Sequence, residues 1–540
     1  MMHLSRRFTV LAGVASISLI LVGCGQKSSQ QKKTITTSTD TELTTVDPSK
    51  TTAVGTFNVL NNVDEGLFRL GKDSKVEPGI ATSSQVSKDG KTYTFNLRKN
   101  AKWSNGDPVT AQDFVYSWRR TLNPKTASQY GYLFSGIKNA DKIQNKKAAV
   151  SSLGIKADGK YKLTVTLEQR IPYFKLLMGF PVFFPQDSKT VKKYGSDYGT
   201  SSKTQVYNGP FVLKKWTGTN LTWTLAKNSS YWDKKNVKLD DIKFQVVKDP
   251  ATGLNLYNQK KLDMAQLSAT QAKQMGKKKD LVSRRQSSNY YIAFNLKNKA
   301  FQNLKIRQAM SMIINRKMMA SKVVGGGAID NDSFVSKGLA VSPKDGTDFT
   351  KDVTAPASMS YNPTKAKQLF RQGLQEIGRS SLHFTLLNSD TYDQKQLSEY
   401  LQSALQKLPG LTVSLNNIPG RVILSRQADH QFQATVANWF ADFSDPITFL
   451  NILTSTNPSN ISRWKNATYD KLIKASNDDD GSNADARWDD MVKAQNVALN
   501  NQAIIPLYQS GEQWLISSKV KGVVYNTAGA NYNFKNAYVK

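Results

Sequence analysis

The residue types that most often carry out chemistry are scarce in this chain. Its 540 residues include one cysteine, Cys24, and three histidines, His3, His383 and His430, which stand far apart. A single cysteine excludes an intrachain disulfide and a metal site built from several thiolates. The sequence also lacks a His-Glu-x-x-His zinc motif and a Gly-x-Ser-x-Gly nucleophile turn. We therefore expect neither a catalytic site nor a bound metal or cofactor.

The one cysteine lies where lipid attachment would use it. Two arginines precede an apolar run from residue 8 to residue 22, and the run ends in Leu21-Val22-Gly23-Cys24. The run is too short to span a bilayer comfortably, and it predicts a signal peptide over residues 1–23. Its end resembles the lipobox of bacterial lipoproteins, whose cysteine is diacylated and becomes the new N-terminus. An ordinary secretory signal with an incidental cysteine is the alternative.

The chain that follows the cysteine is expected to be a tether. Residues 25–45 are rich in Ser, Thr, Gln and Lys and contain almost nothing apolar. Such a composition cannot bury enough apolar surface to offset the entropy that ordering removes. We therefore predict a lipidated cysteine and a flexible tether over residues 24–45, which hold the protein on the extracellular face of the cell membrane. Each buried CH₂ of the acyl chains contributes about 0.8 kcal/mol to that attachment.

The formal net charge of +33, with a pI near 9.8, raises the question of nucleic-acid binding. Lysine is spread over the whole length, and the sequence has no RNP motif, no paired Cys/His finger and no long basic block. A solvated basic surface that faces an anionic envelope explains the charge without specific recognition. We therefore predict no nucleic-acid partner.

Strand and helix signals alternate along the rest of the chain. Tyr93, Phe95 and Leu97 alternate with polar residues, which predicts a half-buried strand. Thr110-Ala-Gln-Asp113 predicts a capping box at the start of a helix, and Asn362-Pro363 predicts another helix start. The chain is also too long for a single hydrophobic core. These elements predict an α/β protein with at least two lobes.

Eight short sequence blocks follow one another along the chain. They are Asp64-Glu-Gly-Leu-Phe-Arg69, Lys88-Asp-Gly-Lys-Thr-Tyr-Thr-Phe-Asn-Leu-Arg98, Trp103-Ser-Asn-Gly-Asp-Pro-Val-Thr-Ala-Gln-Asp-Phe-Val-Tyr-Ser-Trp118, Tyr207-Asn-Gly-Pro-Phe211, Tyr231-Trp-Asp233, Ile306-Arg-Gln-Ala-Met310 with Asn315-Arg316, Trp439-Phe-Ala-Asp-Phe-Ser-Asp-Pro446 and Ile505-Pro-Leu-Tyr508. Together they resemble the oligopeptide- and dipeptide-binding family of ABC transporter solute-binding proteins, which is family 5 of the bacterial extracellular solute-binding proteins. The resemblance covers nearly the whole chain after the tether.

The resemblance implies a two-lobed fold of the periplasmic-binding-protein type II, in which hinge strands join the lobes and the ligand cleft lies between them. It also implies an extra domain inserted early in the chain. The expected parts are lobe 1 in residues 46–64, 190–290 and 505–540, the inserted domain in residues 65–189, and lobe 2 in residues 291–504. A strand over residues 290–296 would be one of the crossings.

A receptor for peptides of many sequences must hold what all peptides share, the ionised α-amino group and the backbone amides. Pairing the ligand as an added strand gives affinity without sequence preference, while a buried ammonium group needs a carboxylate. The resemblance assigns that carboxylate to Asp442, in a Trp-x-Ala-Asp sequence. It further implies backbone contacts from Asn438 and Phe440, with Trp439 beside them, and it implies that Val54 lines the opposite lobe.

Other assignments stay open for some of these residues. Asp442 could be a turn residue ahead of a helix that opens at Asp445-Pro446, and Trp439 could be core packing. Asp445 is better explained as the N-cap of that helix than as a ligand contact. The carboxylate at the other end of a peptide calls for an arginine or a lysine. Candidates that no motif separates are Arg421, Arg426 and Arg463.

The expected function is the capture of oligopeptides outside the cell and their delivery to the permease subunits of an ABC importer. The protein is expected to be a monomer and not an enzyme. Within the same family, a peptide pheromone, a sugar or a nickel complex is an alternative cargo. From other classes, a surface hydrolase lacks its motifs in this sequence, and a surface adhesin is an alternative that peptide binding would separate.

Overall fold

The computed structural model describes residues 32–478 and 482–540 of the chain. The predicted signal peptide and Cys24 lie outside these residues. Lys33–Lys540 form one unit. Among the described residues, none of the helices combines the length and the apolar composition that crossing a membrane requires.

Strands and helices alternate through the described chain. The strands are β1 (Thr34–Thr39), β2 (Phe68–Leu70), β3 (Val76–Pro78), β4 (Ala81–Val86), β5 (Thr92–Leu97), β6 (Ile155–Ala157), β7 (Lys162–Thr166), β8 (Phe211–Lys214), β9 (Thr222–Lys227), β10 (Asp241–Val246), β11 (Met264–Leu267), β12 (Leu281–Phe294), β13 (Ile329–Asp330), β14 (Leu382–Ser389), β15 (Leu411–Ile418), β16 (Ala434–Phe440), β17 (Ile505–Ile516), β18 (Val520–Lys521), β19 (Val524–Tyr525), β20 (Tyr532–Asn533) and β21 (Tyr538–Val539). The α-helices are α1 (Val54–Val63), α2 (Ala111–Leu122), α3 (Ala140–Gln144), α4 (Phe174–Leu177), α5 (Ser188–Tyr194), α6 (Pro250–Asn258), α7 (Ala269–Met275), α8 (Lys299–Gln302), α9 (Leu304–Met312), α10 (Arg316–Met318), α11 (Phe349–Asp352), α12 (Pro363–Glu376), α13 (Tyr392–Leu405), α14 (Gly420–Ala428), α15 (Ile447–Leu450), α16 (Ala467–Asn477) and α17 (Ala484–Asn500).

An eleven-stranded mixed sheet runs through the molecule in the order β15-β14-β16-β12-β17-β11-β1-β10-β9-β8, with β13 paired to β17. β1 is parallel to β10 and β11, and β14 is parallel to β15 and β16. The long strands β12 and β17 pair with each other at the centre. β17 pairs with β11 at one end, and β12 pairs with β16 at the other, so these two strands carry one half of the sheet into the other. The predicted α/β class is confirmed.

The predicted tether of residues 24–45 is too long, because residues 34–39 form β1 inside the main sheet. β1 pairs in parallel with β10 along all of its residues, from Thr34 to Thr39. The side chain of Ile35 is fully buried in the core. The run is polar in composition, yet threonine is β-branched and suits a strand. Its pairing partner lies about 200 residues away, so local composition gave no sign of it.

A smaller antiparallel sheet, β4-β5-β7-β6, lies within residues 65–189. Tyr93, Phe95 and Leu97 are buried on β5, as their alternation predicted. Thr110 and Asp113 form the predicted capping box at the start of α2. Helix α12 begins at Pro363, and the Asn362 side chain caps it. The local signals were therefore read correctly where both partners are sequence neighbours.

Candidate functional site

The last five residues of β16 have one free edge. β12 pairs with β16 along its whole length, from Ala434 to Phe440, whereas β14 pairs only with Ala434 and Thr435. Beyond Thr435, no other strand of the described residues pairs with that side of β16. An unpaired strand edge presents N–H and C=O groups to which a further strand can be added.

Asn438 and Phe440 direct their backbone groups to this free edge. The backbone N–H of Ala441 donates to a β12 carbonyl across 2.8 Å, so it faces β12. Because backbone directions alternate along a strand, residues 436, 438 and 440 face away from β12. In agreement, the side-chain amide of Gln427 donates to the carbonyl of Val436 from the other side (3.3 Å). The two residues expected to contact ligand backbone are thus the ones whose orientation permits it.

Asp442 lies two residues beyond the end of β16 and is only 5% exposed. The hydroxyl of Tyr130 donates to its Oδ1 atom (3.1 Å), and the hydroxyl of Tyr132 donates to its Oδ2 atom (3.4 Å). The backbone N–H of Asp442 donates to the hydroxyl of Thr448 (3.0 Å), which fixes the turn after the strand. The carboxylate is therefore buried and aimed at two hydroxyl donors.

The carboxylate of Asp442 has hydrogen-bond donors but no cation. The ion pairs found in residues 32–478 and 482–540 do not include Asp442. Burial raises the pKa of Asp442 to about 7, although the hydrogen bonds with Tyr130, Tyr132 and Thr448 lower it. Burial, followed by the charge of Asp442, raises the pKa of both tyrosines well above the ordinary value, so they stay protonated donors. Burial thus favours the protonated carboxyl group of Asp442, and a cation placed beside it would favour the ionised form.

Val54 belongs to the same group of contacts through two aromatic rings. It is half-buried at the start of α1, one helical turn before Phe57. The ring of Phe57 meets the ring of Tyr130 edge-on at 5.4 Å. Val54 thus lies one helical turn from a residue whose ring packs on Tyr130, and its place across from β16 stays a prediction.

Trp439 packs against the core, and its predicted place beside the ligand stays a prediction. Its ring is half-buried and packs against the main core. Its indole N–H lies 3.5 Å from the hydroxyl of Thr448, the same hydroxyl that accepts from the Asp442 backbone. The side chain of Asn438 is exposed, and that of Phe440 is half-buried. Trp439 thus packs against the core and also helps to hold the turn that presents Asp442.

Asp445 has a structural task, as its position before Pro446 predicted. Its Oδ1 atom accepts from the backbone N–H of Ile447 at the start of α15 (3.0 Å). Both carboxylate oxygens also accept from the guanidinium group of Arg487, at 2.8 and 3.0 Å. Asp442 and Asp445 are close in sequence, yet only Asp445 has a cationic partner.

Contacts between residues 169–173 and the chain after residue 442 lie beside the site. The ring of Tyr173 stacks on Phe443 at 5.1 Å, and the guanidinium group of Arg487 lies 5.5 Å from the Tyr173 ring. The side-chain amide of Gln169 donates to the carboxylate of Asp478. A cavity of about 60 Å³ between these parts has room for a few water molecules. These contacts join the smaller-sheet region to the half of the main sheet that carries Asp442.

Large apolar side chains are exposed where α13 and α14 begin. Tyr392 is 60% exposed, Leu424 is 54% exposed and Val422 is 43% exposed. The two helices follow β14 and β15, and these strands are parallel to each other and to β16. The carboxyl ends of all three strands therefore lie on one edge, where α/β proteins usually bind ligands. Exposed apolar groups at such an edge can form the walls of side-chain pockets.

Tyr130, Tyr132 and Thr448 were missed by sequence reasoning. Nothing in the sequence near either tyrosine indicates a carboxylate partner more than 300 residues away. The arginine for a ligand carboxylate also stays unassigned. The side chain of Arg421 lies outside the described part of the chain, Arg426 is half-buried and Arg463 is exposed. The described contacts single out neither Arg426 nor Arg463.

Known proteins are similar to this chain in sequence and in fold. Residues 75–460 match the family model described as bacterial extracellular solute-binding proteins, family 5 Middle. The chain is 37% identical to the dipeptide-binding protein of Lactococcus lactis subsp. cremoris over 543 residues, covering 98% of each chain. The structure of Listeria monocytogenes OppA bound to peptide matches with a TM-score of 0.89 at 37% identity, covering 94% of this chain and 99% of that one.

Two structures of one relative show which conformation is present here. The Escherichia coli murein tripeptide binding protein MppA matches with a TM-score of 0.86, covering 94% of this chain and 99% of that one. Its unliganded open form matches with a TM-score of only 0.66, at the same 27% identity and with 98% of that chain covered. Both are murein tripeptide binding proteins named MppA with the same identity to this chain, so the lower score fits the open conformation of the second. The present structure differs from the open arrangement and is similar to Listeria OppA with bound peptide.

Proposed function

The chain belongs to family 5 of the bacterial extracellular solute-binding proteins and has their type II periplasmic-binding-protein fold, and on that premise we propose that it captures peptides for an ABC importer. Members of this family bind solutes and are not enzymes, so the hydrolase alternative is set aside. The proposal includes delivery of the peptide to permease subunits by a monomeric lipoprotein. Oligopeptides are the proposed cargo, with a peptide pheromone as the alternative from the same chemical class.

The observation that carries the proposal is the unpaired carboxylate of Asp442. A peptide brings an α-ammonium group, which supplies the missing positive charge while Tyr130 and Tyr132 keep their hydrogen bonds. An ionised carboxylate without a cation is costly to bury, and the raised pKa of Asp442 reflects that cost. Binding of an ammonium group removes it. A sugar or a neutral solute would leave the carboxylate unpaired.

The free edge of β16 supports the second half of the proposal. Asn438 and Phe440 turn their backbone groups away from β12, to the side where β14 no longer pairs. A peptide whose amino group meets Asp442 can extend along this edge and pair as an added strand. We propose that its side chains contact the exposed apolar groups of Tyr392, Val422 and Leu424. Backbone pairing holds any sequence, and pockets of this kind add a preference for size.

A peptide mixture tests the proposed cargo. The purified protein is incubated with the mixture, separated from unbound material and examined by native mass spectrometry. We expect complexes with free-amino peptides and none with the same peptides acetylated at the N-terminus. Equal retention of both sets would contradict an amino-group anchor. Retention of neither set would contradict peptide capture and favour the adhesin alternative.

The proposed lipid anchor is tested separately. The only cysteine of the chain, Cys24, follows an apolar run and two small or apolar residues that suit a lipobox. We expect the Cys24→Ala variant to leave the membrane fraction after a salt wash, because no other acylation site is proposed. A variant that stays in the washed membrane pellet would rule out attachment through Cys24.

A further inference from the structure

Five lysines lie in two turns at the end of the main sheet where β11 and β12 begin, far along the chain from the proposed site. Lys260 and Lys261 follow α6, and Lys277, Lys278 and Lys279 form the turn between α7 and β12. All five side chains are exposed. None of them takes part in the ion pairs found in the described part of the chain. We call these five residues the basic face.

The two groups of lysines lie side by side. The hydroxyl of Tyr257, near the end of α6, donates to the carboxylate of Asp280 across 3.0 Å. The end of β17 also joins the two turns, because Ser517 N–H donates to the Asp263 carbonyl and Ile516 N–H donates to the Asp280 carbonyl. The basic face is thus one surface rather than two separate turns.

Of the two acidic groups beside these turns, Asp263 pairs with a lysine outside the basic face, and Asp280 offsets one of the five positive charges. The carboxylate of Asp263 accepts from the backbone N–H of Thr36 (2.8 Å) and pairs with Lys519 (2.7 Å). The carboxylate of Asp280 accepts from Tyr257. The five lysines therefore still present a net positive charge to solvent.

The described chain begins at this same face. The backbone N–H of Asp263 donates to the carbonyl of Thr36 in β1 across 2.7 Å. The start of β1 is therefore beside the turn that carries Lys261. Nine residue steps separate Cys24 from Lys33, and a chain of that length reaches roughly 30 Å at most. A lipid on Cys24 would keep the basic face within that distance of the bilayer.

We infer that the basic face rests on anionic phospholipid headgroups once the chain is anchored, an inference that depends on the proposed lipid anchor. Each lysine close to an anionic bilayer strengthens attachment about fivefold. The attraction acts over about 8 Å at physiological ionic strength, and a lipid-anchored tether would keep the face close enough to the bilayer for it to act continuously. β1, β10 and β11 start at this face, so their carboxyl ends point away from it. A body held this way keeps the carboxyl ends of these strands away from the bilayer.

Vesicle binding tests the inference on the chain from residue 24 onward with Cys24→Ser, which removes the acylation site. The probes are vesicles of phosphatidylglycerol with phosphatidylcholine and vesicles of phosphatidylcholine alone. We expect sedimentation with the anionic vesicles only. It should be lost when the salt is raised from about 0.1 to about 0.5 M, because the Debye length then falls from about 10 Å to roughly 4 Å. Replacing Lys277, Lys278 and Lys279 by Gln should weaken this binding at least tenfold.

A matched triple separates a defined face from diffuse charge. Lys142, Lys146 and Lys147 are also exposed and lie at and after α3, so replacing them by Gln removes the same charge elsewhere. We expect that triple to bind anionic vesicles like the parent. Equal losses in the two triples, or no preference of the parent for anionic vesicles, would overturn the inference. Unchanged vesicle binding with impaired peptide import would assign the face to the permease instead and would also overturn it.

Peptide binding provides the folding control and keeps the two proposals apart. The lysines of the basic face take no part in the proposed peptide site, so calorimetry with one free peptide should give the same affinity for both triples. If the Lys277, Lys278 and Lys279 triple fails to fold, the pair Lys260→Gln and Lys261→Gln replaces it with the same expected direction. Absence of peptide binding by the parent protein would contradict the proposed cargo. It would leave the conclusion from vesicle binding unchanged.

Discussion

The hydroxyl of Tyr130 donates a hydrogen bond to the carboxylate of Asp442 across 3.1 Å, although 312 residues separate the two along the chain. Tyr132 donates to the other oxygen of the same carboxylate. Two hydroxyl groups thus orient a charge that has no cation of its own. In the proposed function the α-ammonium group of a peptide supplies that positive charge.

Asp442 and the peptide amino group should behave as one coupled pair. Asp442→Asn leaves the ammonium group of the ligand without a counter-ion. Acetylation of the peptide leaves the carboxylate of Asp442 without a cation. Each change alone should weaken binding by about 2–5 kcal/mol, roughly thirtyfold or more. Both together should cost well short of the sum, because neither charge is then left alone. Calorimetry on the four combinations measures the coupling.

An exposed aspartate gives the matched control for that cycle. Asp429→Asn removes the same charge close in sequence to β16, at an exposed position. We expect it to leave the affinity unchanged for both peptides. Additive losses in the Asp442 cycle would mean that the carboxylate and the amino group do not meet. A circular dichroism spectrum of Asp442→Asn that showed unfolding would assign Asp442 to the turn alone.

The stability of the peptide-free protein should depend on the Asp442 proton. Burial raises the pKa of Asp442 to about 7, whereas an unfolded aspartate titrates near 3.9. Between these values the folded state holds a proton that the unfolded state has released, so the free energy of unfolding falls as pH rises from about 4 to 7. The loss is at most about 4 kcal/mol, since one pKa unit equals about 1.4 kcal/mol. Thermal unfolding at pH 5 and pH 7 measures this change. The free energy of unfolding should fall more between these pH values in the parent protein than in Asp442→Asn.

Peptide binding should release a proton at pH 7. A bound ammonium group favours the ionised carboxylate, so the pKa of Asp442 falls when the peptide binds. Affinity should therefore decrease as pH is lowered below about 7. Calorimetry in phosphate and in Tris, which differ in ionisation enthalpy, counts the proton. Identical heats in the two buffers would show that Asp442 is already ionised before binding.

Tyr130→Phe should shift the pH dependence of binding upward. A hydrogen bond to a charged group is worth about 1.5–3 kcal/mol, so its loss should raise the pKa of Asp442 by roughly one unit or more. Affinity at pH 6 should then fall about tenfold and recover in part at higher pH. The control is Tyr207→Phe, because the buried Tyr207 hydroxyl has no hydrogen-bond partner among the described residues. A uniform loss at every pH would point to damaged packing against Phe57 instead.

Tyr173 should hold the closed arrangement without touching the ligand. Its ring stacks on Phe443 and lies near the guanidinium of Arg487. An aromatic pair contributes about 0.5–1.5 kcal/mol beyond burial, so Tyr173→Ala should weaken all peptides by a similar factor, about two- to twelvefold. The loss should lie in faster dissociation, and X-ray scattering should show a larger radius of gyration at equal peptide concentration.

The half-buried Tyr194 gives the comparison for Tyr173. Its ring contacts the neighbouring Lys193 on α5, so Tyr194→Ala removes an aromatic ring without opening the contacts near Phe443. We expect parental affinity and scattering from that variant. A Tyr173→Ala effect confined to a few peptides would mean that the ring contacts ligand side chains rather than the closed form.

The sequence by itself determined the features whose partners are near neighbours. The capping box of Thr110 and Asp113, the start of α12 at Pro363 and the alternating strand β5 all depend on residues a few positions apart. The eight sequence blocks, in their fixed order, indicated the family. The family resemblance in turn pointed to Asp442 as the candidate ligand carboxylate. Such signals are local, because hydrogen bonds within a turn and the burial of alternate residues are decided over a few residues.

Only the tertiary structure decided what depends on distant parts of the chain. The polar run around Ile35 forms a strand inside the main sheet because β10 pairs with it. The free edge of β16 exists because β14 stops pairing at Thr435, and the donors of Asp442 come from Tyr130 and Tyr132. Composition cannot show these contacts, since pairing and burial over hundreds of residues depend on how the whole chain packs.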